Sequence, residues 1–310
     1  VGSEMCIRDS LNTGAKAMPL YKVASGNSEK MKITVNSWGG SKVESSNTNI
    51  VKVSGSAEQS VDAATYQLVT TGFGTATLTF TNRVDPTKNV TYNVTVNSFS
   101  APTLNSSSVT LKSVPRNEGS SNLSATVTVT SPVGGYEVSS GTNSSIASYS
   151  MSGNNCTVKA VKAGSTSITF RNKLDNSKTK TYSISVTGIL YEGQAVWKYY
   201  GYYIAPVNAA NYVPWSSNLN NSYCANKKGG TWRVPSTNEW RAIMGGSSEL
   251  NSGSSIYQEY KSKGVFQFEY YWSCNDSGND AYLMRMYTGG GMVIGTEPKS
   301  YNGWVRCITQ

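Results

Sequence analysis

The chain has 310 residues, no histidine and a formal net charge of +9 at pH 7. That length accommodates two or three domains with cores of their own. Lack of histidine removes Ser-His-Asp and Cys-His catalysis and imidazole metal sites, and the absence of any apolar run near the roughly 20 residues of a bilayer span leaves no transmembrane segment.

The positive charge is spread along the chain, with Lys227-Lys228 the longest basic run. A nucleic-acid binder concentrates its Lys and Arg in a patch, so no nucleic-acid partner is expected. Residues 1–10, VGSEMCIRDS, resemble translated sequencing adapter, which would make Cys6 an artefact and leave open whether a leader precedes Leu11.

Two segments then repeat. GTATLTFTNRVDPTKNVTYNVTV (74–96) matches GSTSITFRNKLDNSKTKTYSISV (164–186), aligning Phe80 with Phe170, Asn82 with Asn172, Asp85 with Asp175, Lys88 with Lys178 and Tyr92 with Tyr182 at one constant offset. This is an internal duplication, with expected modules at 11–97 and 98–188. Apolar and polar residues alternate on either side of an Asp/Asn/Pro/Lys turn, which predicts a half-buried β-hairpin in each copy. Asp85 and Asp175 are read as turn residues. Upstream, VESSNTNIVKV and VSSGTNSSIASYS are related at a shifted offset, implying an insertion. Several short strands in each copy point to tandem β-sandwiches. Cys156 alternates with Val158 and Ala160 and reads as an inert core residue. The SSN strand and the GxAxIT-like approach to the last hairpin resemble the group 2 bacterial immunoglobulin-like domain, whose modules serve as extracellular spacers or adhesive stalks.

After Gly188 the composition changes, and 14 of the 20 tyrosines and 6 of the 7 tryptophans fall in residues 191–310. A third domain, 189–310, therefore begins there. AVWKYYGYYIAPV (195–207) predicts an opening hairpin, and NNSYCANKKGG (220–230) the end of a first helix. Ser236-Thr237-Asn238-Glu239 fits a capping box, with Pro235 before the cap and Trp240, Ile243 and Met244 on one helical face before Gly245-Gly246.

Three motifs, Trp232-Arg233-Pro235-Glu239-Trp240, Tyr271-Trp272-Ser273 and Val305-Arg306-Cys307, occur in the order found in the Fibrobacter major paralogous domain. The segment 190–310 resembles that family, which implies a C-type-lectin-like fold in which Trp232, Arg233, Pro235, Ser236, Glu239, Trp240, Trp272 and Trp304 are framework residues. The expected fold class is thus mainly β with a C-terminal α+β domain. The resemblance implies a bridge from the first helix to the last strand, Cys224 to Cys307, which on the chain-entropy model stabilises by about 4 kcal/mol. Cys274 to Cys307, or three reduced thiols, are the alternatives.

Formylglycine-generating enzymes share the fold, but their cysteine-pair motifs have no counterpart here, and no enzymatic activity and no cofactor are expected. Glu297, Asn275 and Asp276 superficially echo a calcium set, but Lys299 stands where that set needs an oxygen. No metal is expected. The residues between Trp272 and Trp304 are rich in the Tyr, Asn, Ser and Gly that adaptable binding surfaces favour, and the candidate ligand-binding residues are Asn275, Asp276, Asn279, Asp280, Tyr282, Tyr287, Lys299, Tyr301 and Asn302. The bland reading makes them ordinary hairpin turns.

Together these features describe an extracellular, cell-surface or virion-surface binding protein, a stalk presenting a head to a glycan or surface protein of a host or neighbouring cell. A structural fibre component without a specific ligand is the competing class. Diversification of the head by a retroelement is a further alternative, since its template mutagenesis scatters Asn, Tyr, Ser and Asp over an exposed face.

Overall fold

The computed structural model describes residues 30–310, so the adapter-like residues 1–10 and the start of the first module lie outside the described residues. The described chain is mainly β and forms two compact units. One holds the residues up to Pro102 with Ser131–Glu137 and Arg171–Thr179; the other holds Thr103–Thr130, Val138–Phe170 and Lys180–Gln310.

In the first unit, period-two alternation builds β1 (Lys30–Asn36), β2 (Ser41–Ser45), β3 (Val51–Ser54), β4 (Glu58–Gln59), β5 (Ala63–Thr70), β6 (Gly74–Asn82) and β7 (Asn89–Val96). They pair as two sheets, β1-β5-β3 and β4-β2-β6-β7. Val35, Tyr66, Leu68, Leu78, Phe80 and Val94 form the core they share. At the β6–β7 turn, the Asp85 carboxylate accepts from the Thr87 amide at 3.0 Å and its hydroxyl at 2.6 Å. Asn82 is buried; its amide nitrogen donates to Ser37 Oγ and the Trp38 carbonyl, while its oxygen accepts from the Val84 and Asp85 amides.

The second copy supplies β8 (Thr103–Leu104), β9 (Ser108–Lys112), β10 (Ser124–Thr130), β11 (Tyr136–Ser140), β12 (Ala147–Ser152), β13 (Asn155–Ala160), β14 (Gly164–Asn172) and β15 (Thr179–Thr187). Their sheets run β12-β13-β10-β8 and β11-β14-β15-β9, with β9 parallel to β15. This is the immunoglobulin-like division of strands between two sheets. The first copy repeats it, with β1-β5-β3 standing for β10-β13-β12 and β2-β6-β7 for β11-β14-β15. Cys156 is fully buried and unpaired among Val127 and Val158, and burial pushes its thiol pKa up.

Residues 189–310 contribute β16 (Leu190–Tyr191), β17 (Gln194–Ala195), β18 (Trp197–Tyr199), β19 (Tyr202–Ile204), β20 (Ala210–Pro214), α1 (Thr237–Ile243), β21 (Glu249–Leu250), α2 (Ser255–Lys263), β22 (Tyr270–Ser277), β23 (Asp280–Tyr287), β24 (Gly291–Pro298), β25 (Asn302–Val305) and β26 (Ile308–Thr309). β26 returns to pair with β19, bringing the end of this segment beside its beginning. The main sheet runs β20-β25-β22-β23-β24-β21. Tyr271 pairs with Met284 and Trp272 with Leu283; since successive side chains point to opposite faces, the sheet carries a core on each. Trp240, Tyr257, Tyr260, Phe266, Tyr271 and Met284 fill one. Tyr191, Trp232, Trp272, Leu283 and both bridged cysteines fill the other.

Residues 220–224 form a five-residue π-helical turn without a side-chain cap, rather than the end of a longer helix. The segment NNSYC is short of strong helix formers, and Cys224 is the residue in it that is buried. α2 has no counterpart in the sequence reading, because the apolar stripe of SIYQEYKSK is confined to Ile256, Tyr257 and Tyr260.

Candidate functional site

The framework motifs meet around α1. Ser236 caps the helix, its side chain accepting from the Glu239 amide, and the Glu239 carboxylate accepts from the Ser236 amide at 2.8 Å. The same carboxylate forms an ion pair with Arg233, whose backbone exchanges two hydrogen bonds with Ile308. Burial raises the Glu239 pKa, but the Arg233 guanidinium and the Ser236 amide outweigh it and hold the carboxyl below its ordinary value. The Pro235 carbonyl accepts from the Cys274 amide, tying the corner to β22. The Trp240 indole donates to the Trp272 carbonyl and the Trp272 indole to the Val213 carbonyl. Trp232 packs edge-on against Tyr191 at 4.9 Å. All of these residues build framework.

Cys224 and Cys307 form a disulfide with Cα atoms 5.7 Å apart, both residues fully buried. Cys274 carries a free thiol whose pKa is pushed up by desolvation.

The candidate binding residues divide. CNDSGNDAY is not a loop: Asn275 and Asp276 lie in β22, Asp280, Tyr282 and Tyr287 in β23, and Asn302 opens β25. The Asn275 side-chain oxygen accepts from the Thr237 amide at 2.8 Å and bonds its hydroxyl, so it braces the start of α1. Asn279 sits in the turn, where its carbonyl accepts from the Lys299 amide. Asp280 pairs with Ser277 and Pro298 in the ladders. Tyr282 is half-buried opposite Thr296, and Asn302 pairs with Pro214.

Two half-buried clusters reach the surface. Lys299 reaches Asp276 at 2.5 Å while its ammonium lies 4.8 Å from the Trp215 ring centre. The larger cluster centres on Arg285. Its guanidinium stands over the Tyr270 ring at 5.3 Å, contacts the Tyr287 hydroxyl at 3.4 Å and pairs with Glu297 at 2.5 Å. It reaches Glu297 across Gly295, where no side chain stands in the way. Tyr301 packs edge-on against Tyr270 at 5.4 Å, and Tyr287 and Tyr301 are 38% and 39% exposed. Sequence reasoning named Tyr287 and Tyr301 but missed Tyr270, Arg285 and Trp215. Arg285 follows period two from Ala281 and Leu283, which would have marked its face.

Glu297, Asn275 and Asp276 are engaged with Arg285, the α1 start and Lys299 respectively, and do not converge. No group of three or more metal-ligating side chains occurs among the described residues.

No protein-family model matches the chain, and no curated protein matches it in sequence. Among solved structures it is similar to domains 4 and 5 of the S-layer protein SbsC, with 19% identity, TM-score 0.29, and 53% of this chain and 86% of that one covered. A C-terminal intimin fragment in complex with the intimin-binding domain of its receptor aligns at 16% identity and TM-score 0.26, over 94% of this chain and 96% of that one. The adhesin InvE of Yersinia pseudotuberculosis aligns at 11% identity and TM-score 0.28, over 90% and 92%. TM-scores this low carry no argument, and the immunoglobulin-like arrangement rests on the strand order itself.

Proposed function

We propose that this chain is a non-enzymatic extracellular or surface binding protein, in which immunoglobulin-like sandwiches carry a C-type-lectin-like head. The observation that carries this reading is the Arg285 cluster. Two exposed tyrosines, Tyr287 and Tyr301, flank a guanidinium that Glu297 pairs with and that stands over Tyr270, itself packed edge-on against Tyr301. Tyrosine offers large amphipathic contact at low entropic cost, and Tyr and Arg dominate the energetics of binding surfaces. Such a face suits a glycan or a protein epitope of a neighbouring cell. The Cys224–Cys307 disulfide supports an oxidising, extracellular setting. The raised pKa of Cys274 leaves it a poor nucleophile at neutral pH, which supports the non-enzymatic reading.

The test uses the full chain on a glycan and cell-surface panel, with Arg285→Ala and Tyr301→Ala beside the wild type. Binding by the wild type that falls at least tenfold in both variants at unchanged thermal stability is the expected result. Equal signals from wild type and both variants would leave the face without a ligand and favour a structural cap on a fibre.

A further inference from the structure

We propose that the cleft beneath Trp304 binds a carboxylate-bearing sugar, at a site separate from the Arg285 cluster. Trp304 pairs in register with Tyr271, and Arg285 with Tyr270. Neighbouring residues of a strand face opposite sides, so cleft and cluster lie on opposite faces of the main sheet.

Pro206, Asn208, Asn211, Gln267, Trp304 and Arg306 line a cleft of about 300 Å³. That is the lower end of the range for small-molecule sites and fits one ring rather than a long chain. Three buried polar atoms of its lining residues, Asn208 Oδ1, Trp304 Nε1 and Arg306 Nε, have no hydrogen-bond partner in the protein. More than about nine in ten buried polar groups are satisfied in folded proteins once ordered water is counted, so the partners of these three are water or a ligand entering the cleft.

Their chemistry defines it. Arg306 is 3% exposed and forms no ion pair among the described residues. One guanidinium nitrogen donates to the Val265 carbonyl, and the group lies over Phe266 and Tyr271 at 5.6 and 5.8 Å. Burial pulls its pKa down to about 10, which still leaves it charged at neutral pH. A buried cation without a carboxylate, beside an indole N–H, matches the single charge and two acceptor oxygens of a carboxylate better than a phosphate dianion. The Asn208 nitrogen donates to Asn211 Oδ1 at 3.1 Å and Gln267 Oε1 at 3.2 Å. These bonds occupy the Asn208 amide nitrogen and leave Oδ1 as its unmet acceptor. The three atoms sit behind the cleft wall, and binding on this reading turns the Asn208 and Trp304 side chains a short way toward the ligand.

Tyr212 completes the arrangement. It is 64% exposed, packs edge-on against Trp304 at 5.8 Å and occupies the irregularity between Ala210 and Val213 in the β20–β25 ladder. Its φ of +52° is strained for a bulky side chain. Strain of this kind persists where surrounding structure imposes it, often at ligand sites. It holds an aromatic ring beside Trp304, where the apolar face of a pyranose can stack.

The test is titration of the full chain with D-glucuronate, N-acetylneuraminate, D-glucose and acetate, followed by tryptophan fluorescence. At least one acidic sugar is expected to saturate at a concentration tenfold or more below glucose and acetate. Asn208→Asp, which sets a repelling carboxylate at the same volume, and Tyr212→Ala are each expected to weaken it at least fivefold without lowering the unfolding midpoint. Arg285→Ala should leave this binding unchanged, which separates failure here from failure of the tyrosine face. The proposal is overturned by no saturation up to about 50 mM, well above millimolar affinity, by acetate binding equally well, or by Asn208→Asp and Tyr212→Ala both retaining full affinity.

Discussion

Asn117 and Lys198 exchange two hydrogen bonds, the Asn117 amide nitrogen donating to the Lys198 carbonyl at 2.7 Å and the Lys198 amide to Asn117 Oδ1 at 3.0 Å. Next to them the Arg116 amide and Nε donate to the carbonyls of Val196 and Ala195 at 2.7 and 2.8 Å. The loop after β9 thus acts as an extra pairing edge for β17 and β18. Replacing Asn117 by Ala leaves both Lys198 backbone groups without this partner and should cost about 1–3 kcal/mol. Urea unfolding followed by tryptophan fluorescence reads it, because most tryptophans lie beyond residue 190; an unmoved midpoint would show the clasp to be incidental.

The Glu239 carboxylate joins the capping box to Arg233. Its folded-state pKa is depressed, so the stability it contributes is present above the unfolded carboxyl pKa of about 4.3 and is lost as pH falls through the folded value. Glu239→Gln should lower the midpoint at pH 7 and flatten its decline below about pH 4. A wild-type and variant acid limb of equal slope would be the contrary result. Ser236→Ala should cost about 1 kcal/mol.

The buried Cys224–Cys307 bridge closes a separation of 83 residues. Cys224→Ser with Cys307→Ser should destabilise by about 2–5 kcal/mol, visible as a fall in melting temperature that dithiothreitol reproduces in the wild type and does not deepen in the variant.

Asn82 and Asn172 hold equivalent turns. Asn172 donates to the Ser100 and Val133 carbonyls and accepts from the Leu174 amide, as Asn82 does with its own neighbours. Asn82→Ala and Asn172→Ala should each cost about 1–3 kcal/mol by stranding buried partners. Differential scanning calorimetry would refute the equivalence if one variant were silent.

Gly303 faces the edge of the Trp272 indole, and a Cβ there would lie 2.8 Å from its Nε1. Because that nitrogen is held by the Val213 carbonyl, the ring cannot give way, and Gly303→Ala should cost about 1–3 kcal/mol, measured by the urea midpoint.

The hairpins at 74–96 and 164–186, the turn roles of Asp85 and Asp175 and the helix at Ser236 were legible because each depends on neighbours within a few residues. Period two, an acidic side chain bonding two positions on, and a capping box are all local. The short turn at 220–224 and helix α2 were not: NNSYC has weak helix propensity, and α2, though it carries Gln, Glu and Lys, is only nine residues long and depends on the packing of Tyr257 and Tyr260.

The candidate site shows the same division. Composition marked the stretch between Trp272 and Trp304 as rich in contact-forming side chains, and Tyr287 and Tyr301 are exposed there. Which of the others face solvent was settled by partners distant in sequence: Thr237 for Asn275, Trp215 for Lys299 and Tyr270 for Arg285. Sequence by itself determined the repeated sandwiches and the tyrosine- and tryptophan-rich third segment, through local periodicity and composition. Tertiary structure alone decided the Arg285 cluster and the cleft around Arg306, because a side chain's exposure and its unmet hydrogen bonds depend on which strands the sheet sets beside it.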